Sequence, residues 1–244
     1  GVSPYFEPWY DDKISPRDDH GMCKTFIDAL LATNDPRIGE FAHPAADDGE
    51  YRGLPAGITE GEEGFELGTM SRLGTMYRDI PNGTNHYMRY AEVEFIKAEA
   101  YARADLLNNA ALAEAAYEAG ITASCEEHNV AAADITTYLA DENVAWGGAG
   151  SWSYTNLEKI AYQKWVSLFK QGHEAWAETR RTDIPRLSAA SGSIYTGHNR
   201  PPFRWPYPTS EYTLNEAVVK SFDTSIQDRF WGEKMWWDTR TGVN

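Results

Sequence analysis

From Tyr87 to Ala104 the chain runs without a glycine or a proline, and this stretch constrains the fold more than any other feature. Those two residues are the usual breakers of regular structure. A run free of both, with apolar side chains recurring every three or four positions, reads as a helix. Two apolar series coexist in it. Tyr90, Val93, Lys97, Ala100 and Tyr101 mark one side, and Met88, Ala91, Phe95, Ala98 and Ala102 mark another, so the pattern predicts a helix packed on two sides. Asp105 to Asn109 reads as a turn. A second, Ala-rich helix follows, with Leu112, Ala115, Ala116, Ala119 and Ala123 expected to face inward, small enough to let the helices approach closely. The unit from Tyr87 to Ala123 is therefore a helical hairpin, and the expected fold class is all-α.

At about 34 residues, with bulky positions on the first helix and Ala on the second, the hairpin resembles a tetratricopeptide repeat. One such repeat cannot bury its own faces and needs neighbours. Residues 1–86 read as a loop-rich segment with one short helix over Met22–Ala32, carrying Phe26, Ile27, Leu30 and Leu31. That helix should end before Asn34-Asp35-Pro36, because a proline ring disfavours helical geometry in the residue before it. Residues 87–244 read as the helical body. In it, Asp134–Ala140 forms a short helix with Ile135, Tyr138 and Leu139 inward, and Ala145–Tyr154 is a loop of Gly, Ser and Trp. Thr155 with Glu158 three residues on is a capping-box signature. It opens a run through Leu157, Ile160, Ala161, Lys164, Trp165 and Leu168, broken or kinked near Gly172 and stopping before Pro185. Leu214, Ala217, Val218 and Phe222 mark a last helix, and Phe230–Trp237 a short strand-like segment packed on the body.

With 42% hydrophobic and 24% charged residues the composition suits a packed core. The net charge of −15 opposes attraction to polynucleotides, which depends on clustered Lys and Arg, and nucleic-acid partners are set aside. Cys23 and Cys125 lack the spacing of a zinc site or a disulfide framework. His173-Glu174-Ala175-Trp176-Ala177 begins like the H-E-x-x-H zinc motif but has Ala where the second histidine belongs. Nucleophile-elbow and phosphate-loop patterns are missing. Glu60, Glu62 and Glu63 sit in a Gly-rich loop and read as solvated acids, although a glycosidase would need two flanking carboxylates. Asp47, Asp48 and Glu50 lack the alternation of a calcium loop. No catalytic residue, metal ligand or cofactor is expected. The chain contains no apolar run of membrane-spanning length, and it begins without Met in a loop-like segment, as a piece of a longer protein would.

Aromatic residues are abundant, with nine Trp, fourteen Tyr and nine Phe. Sugar binding uses flat apolar surfaces against the C–H faces of pyranose rings, with a few polar groups around them. Two loop clusters supply candidates: Trp9 and Tyr10, flanked by Tyr5, Phe6 and Pro8; and Trp146, Trp152 and Tyr154. The alternative is that these rings plug the undersides of their loops. Trp165, Trp176, Trp236 and Trp237 fall on helical stripes or in the terminal segment and are assigned to the core.

Several short strings occur in a telling order. They are Asn34-Asp35-Pro36-Arg37; Tyr51-Arg52-Gly53-Leu54-Pro55-Ala56-Gly57; Arg89-Tyr90-Ala91-Glu92 with Ala98-Glu99-Ala100; Gln163-Lys164-Trp165; Arg180-Arg181-Thr182-Asp183-Ile184-Pro185; Arg204-Trp205-Pro206-Tyr207-Pro208 with Glu211 and Asn215; and Trp236-Trp237. In this order they resemble the C-terminal half of the SusD/RagB family. The resemblance implies a SusD-like fold of tetratricopeptide-like hairpins with long irregular loops, and a lipoprotein on the surface of a bacterial outer membrane. It implies an anchor Cys and further repeats in an N-terminal half outside this chain. It implies a TonB-dependent, SusC-like transporter as partner and an oligosaccharide, or in some members a peptide, as ligand, held without catalysis. The matched strings are scaffold signatures, so no ligand residue is carried over from the family. An α-helical glycoside hydrolase and a protein-binding scaffold remain the rival readings.

Overall fold

The computed structural model describes residues 6–15, 20–58, 66–190, 198–222 and 234–242. The hairpin forms as α5 (Tyr90–Ala102) and α6 (Ala110–Glu127), the most extensively paired elements of the described chain. The Asn109 side chain caps α6 by accepting the Leu112 N–H at 3.1 Å. The helices meet where Gly120 faces Phe95: a Cβ at Gly120 would lie 2.7 Å from the Phe95 ring. The inward stripe of α6 is Ala113, Ala116, Tyr117, Gly120, Ile121, Ser124 and Cys125, whereas Leu112 and Ala115 are exposed. The expected stripe was thus rotated, because alanines on both faces of α6 gave no contrast by which to orient it. On α5 the series Ala91, Phe95 and Ala98 is buried, but Tyr90, Val93 and Lys97 face outward, so the helix is packed mainly on one side.

Helices α7 (Ala132–Leu139) and α8 (Asn156–Ser167) complete the packing around the hairpin. Ile135, Tyr138 and Ile160 join Phe95, Tyr117 and Ile121 in one core cluster. A second cluster gathers around α2 (Lys24–Ala32), where Phe26, Ile27 and Leu30 meet Phe41, Leu73, Tyr77, Tyr162 and Val166. Helix α8 serves both, because Ile160 and Tyr162 point to different sides of it. The first third is more ordered than its sequence suggested. It also holds α1 (Pro8–Ile14), α3 (Ile38–Phe41), α4 (Thr75–Arg78) and a two-residue antiparallel ladder of β1 (Ala42–His43) with β2 (Arg72–Leu73).

Between the clusters lies Arg37, fully buried. Its guanidinium pairs with Asp35 (Nη2–Oδ2 2.5 Å) and reaches Ser124 at 2.8 Å and Gln163 at 2.9 Å. Tyr138 donates to the same Asp35 carboxylate at 2.8 Å. The network ties the loop after α2 to α6, α7 and α8. Removing one partner of such a buried pair costs about 3–5 kcal/mol, because the other is left charged and unpaired.

The capping box at α8 is present in both directions: Glu158 N–H donates to Thr155 Oγ1 and Thr155 N–H to Glu158 Oε2. The helical run then breaks at Leu168–Gln171, just before α9 (Gly172–Thr182). The turn uses Lys170 at φ 73°, a conformation uncommon outside glycine, and the Lys170 ammonium is anchored on Glu7 at 2.9 Å. Leu157, the first of the residues at helical spacing, is exposed. Two short helices, α10 (Thr209–Leu214) and α11 (Glu216–Phe222), replace the single one expected; Val219 is buried, while Leu214 and Val218 are exposed.

At the C-terminal end, Lys234–Gly242 forms turns rather than a strand, and residues 230–233 lie outside the described part. Trp236 is 92% exposed, a correction to its assignment to the core. Trp237 instead stacks on the Arg180 guanidinium at 4.4 Å, with Trp176 on the same group at 3.8 Å. The buried Asp238–Arg240 pair closes this end against the Pro201 carbonyl at 2.7 Å.

Candidate ligand cleft

An open cleft of about 1010 Å³ lies beside α2. It is lined by Lys24, Thr25, Asp28, Ala29 and Ala32 of α2 and by the irregular segment Pro185–Ala190 with Pro201 and Pro202. Three rings also line it: Trp152 and Tyr154 from the loop before α8, and Tyr162 from α8.

The rings hold one another edge to face, as aromatic quadrupoles prefer. Trp152 lies 4.7 Å from Tyr162 at 76° and 5.3 Å from Tyr154 at 63°. Tyr162 is buried and donates its hydroxyl to the Ala29 carbonyl at 2.8 Å, which fixes it to α2. Trp152 and Tyr154 are half-buried and line the opening. Burial pushes both tyrosine phenols upward in pKa, so they stay neutral and able to donate.

The loop carrying Trp152 has no regular structure, and its shape comes from two anchors. Lys159, on the first turns of α8, is buried and donates to the carbonyls of Glu142, Ala145 and Gly148 at 3.2, 2.7 and 2.9 Å. Asn143 Oδ1 accepts the Trp152 N–H at 3.3 Å and the Ser151 hydroxyl at 3.4 Å. Among the described residues the charged side chains lining the cleft are paired. Lys24 meets Asp28 at 2.7 Å, and Arg186 meets Glu158 at 3.0 Å.

Of the residues singled out in the sequence, the fold brings Trp152 and Tyr154 together. Trp146, at the start of the same loop, turns the other way and packs 5.6 Å from Tyr117 in the hairpin core. Trp9, on α1, meets Phe169 at 5.9 Å and Tyr77 at 6.1 Å, with the Lys170 ammonium 5.3 Å from its ring. It lines a separate, smaller hollow of about 390 Å³ with His20, Met22, Phe26 and Trp165. Tyr10 packs on Phe6 at 5.2 Å. Sequence reasoning passed over Tyr162, which sits inside a helical run where an aromatic reads as core. Lys24, Asp28 and Arg186 carried no motif.

Among the described residues no three His, Cys, Asp or Glu side chains cluster as metal ligands would. Asp48 is ion-paired with Arg52, while Glu60, Glu62 and Glu63 lie outside the described residues. Cys23 and Cys125 are both free thiols. Among the described residues no helix is long and apolar enough to cross a membrane.

An all-α body built on a tetratricopeptide-like hairpin, with a wide aromatic cleft among irregular loops, defines the SusD-like class of fold. Residues 1–208 match the SusD-like family described as "Starch-binding associating with outer membrane", and the chain belongs to that family. Among solved structures, a SusD homologue from Bacteroides uniformis shares 26% identity at a TM-score of 0.70, covering 95% of this chain and 52% of that one. A chitin-binding SusD homologue from Flavobacterium johnsoniae superposes with a TM-score of 0.75 at 24% identity, over 98% of this chain and 54% of its own. A SusD-like protein from Bacteroides thetaiotaomicron gives 0.70 at 24%, over 89% and 50%. The chain thus spans about half the length of these relatives. No curated protein sequence matches it.

Proposed function

We propose that the cleft beside α2 holds an oligosaccharide, without catalysis, as the ligand-binding part of an outer-membrane nutrient-uptake system whose partner is a TonB-dependent, SusC-like transporter. The observation that carries the reading is the interlocked Trp152–Tyr154–Tyr162 group inside a cleft of about 1010 Å³. Apolar rings offer stacking surface, and the paired charges and neutral phenols around them offer hydrogen bonds to hydroxyls. The family description as starch-binding and the chitin-binding name of the F. johnsoniae relative support a glycan over other ligands. Among the described residues the one carboxylate lining the cleft, Asp28, is held by Lys24, and Glu158 just outside it is held by Arg186, which suits binding better than proton transfer.

The test is calorimetry of the chain with chitohexaose and maltohexaose, before and after Trp152→Ala. Truncating a stacking anchor should cost about 2 kcal/mol, or roughly thirtyfold in affinity. Trp146→Ala removes a Trp from the same loop but from its core side, and should leave affinity close to wild type. Equal affinity losses in both variants, or reducing ends released from either oligosaccharide, would defeat the proposal.

A further inference from the structure

We infer that Asp28 and Glu158 make the cleft selective for uncharged glycans by holding the positive charges of Lys24 and Arg186. The inference rests on the reading of the cleft as a glycan site and names the class of glycan it admits.

Among the described residues the ionisable side chains lining the cleft are Lys24, Asp28, Arg186 and the phenols of Tyr154 and Tyr162. Both cations are already engaged. The Lys24 ammonium lies 2.7 Å from Asp28 one helical turn on, and Arg186 Nη2 lies 3.0 Å from Glu158 Oε1. The second pair is held rigidly on its acidic side. Glu158 Oε2 accepts both the N–H and the hydroxyl of Thr155, at 2.8 and 2.9 Å, which leaves Oε1 facing the arginine. Glu158 cannot turn away without opening the α8 cap.

A sugar hydroxyl can donate to such a carboxylate and accept from such a cation while the ion pair persists. A uronate or sulfate has no such option. To reach Lys24 or Arg186 it must displace a carboxylate or lie beside one with its charge uncompensated, and the chain's net charge of −15 adds to the repulsion. Like charges placed this way oppose binding chiefly by discriminating against the wrong ligand, which is how specificity is built.

The experiment measures affinities of the 244-residue chain for chitohexaose, maltohexaose and hexagalacturonate at low and at moderate salt. At least one neutral hexamer should bind, and hexagalacturonate should bind about tenfold more weakly or worse. Asp28→Asn and Glu158→Gln each free one cation; glutamine also serves in a capping box, so α8 keeps its start. Each variant should raise the ratio of acidic to neutral affinity about fivefold, the effect of one unit charge at contact distance in water. Salt should shrink the gain. Glu118→Gln on the exposed side of α6 makes the same change in net charge off the cleft and should leave the ratio unmoved. Hexagalacturonate bound as tightly as the neutral hexamers, or a ratio unmoved by both cleft variants, overturns the inference while the glycan site stands. Binding of none of the three overturns the glycan reading and this inference with it.

Discussion

Lys159→Met isolates the interaction that shapes the ligand loop. The ammonium of Lys159 is buried, and its three short contacts are all to loop carbonyls, of Glu142, Ala145 and Gly148. Methionine keeps much of the stem's volume and removes the charge and the donors. Hydrogen bonds to a charged group contribute about 1.5–3 kcal/mol each, so three would suggest a loss well above 4 kcal/mol. Two effects reduce that figure. The loop lies at the surface, where water can take over freed carbonyls, and the variant no longer bears the cost of desolvating an ammonium. A net loss of about 2 kcal/mol remains, which for a chain of this size lowers the thermal midpoint by roughly 4–8 °C. Because Trp152 hangs from Asn143 within the same loop, glycan affinity should fall too, and amide exchange at 147–153 should quicken. Lys159→Arg keeps the charge on a planar fork that does not match three converging carbonyls, so it should recover only part of the loss. A midpoint within about 1 °C of wild type, together with unchanged exchange in the loop, would refute the argument.

Gly120→Ala should cost about 1–3 kcal/mol, because the new methyl meets the Phe95 ring at 2.7 Å and the hairpin must spread; urea midpoints decide it, and a neutral result would mean α5 and α6 are not in tight contact. The third prediction is a pH dependence. His128 is buried, with Nδ1 donating to the Ser124 carbonyl and Nε2 meeting the Tyr77 hydroxyl, both at 2.6 Å. Burial pushes its pKa down to about 4, and the charges of Arg37 and Arg89 add to the effect. The folded pKa is below the unfolded value near 6.5, so the unfolded chain takes up the proton first as pH falls. This contribution is intact above about 6.5 and is lost progressively toward 4, by about 3 kcal/mol in all. Urea unfolding at pH 7, 5.5 and 4.5 should show the fall, and His128→Gln should flatten it; an equal slope in both proteins would discard the assignment.

Legibility of the fold followed local rules. The α8 start was readable because a capping box is a contact within four residues, and the end of α2 was readable because Pro36 acts on its immediate neighbour. The pattern of α6 does not reveal its buried face because alanine offers no contrast, and Gly172 marks the break before α9 although the turn is made by Lys170, whose anchor Glu7 lies at the far end of the chain. The Asp35–Arg37 network was invisible for the same reason: its partners come from α6, α7 and α8, and no spacing links them. In the cleft, Trp152 and Trp146 share a loop and a composition. What separates them is which core cluster each ring meets, a tertiary fact with no local signature.

The choice between loop plug and ligand platform, posed by the sequence for every loop aromatic, takes a different form in the structure. Trp152 meets Tyr162, Tyr162 meets Trp165 at 6.1 Å, Trp165 meets Phe26 at 5.4 Å, Phe26 meets Phe169 at 4.9 Å, and Phe169 meets Trp9. The two candidate clusters are therefore the two ends of one chain of rings running past α2 through the core. A ring at such an end contributes to folding through its inner contacts and to binding through its open side. Trp152→Ala should then lower both stability and affinity, and stability alone cannot classify the residue. Trp152→Phe separates the roles, because a smaller ring still reaches Tyr162 while offering less surface to a sugar. The expected result is a midpoint near wild type with an affinity loss that remains several-fold, on the order of 1 kcal/mol. Recovery of both together would make Trp152 a plug whose influence on the cleft is indirect.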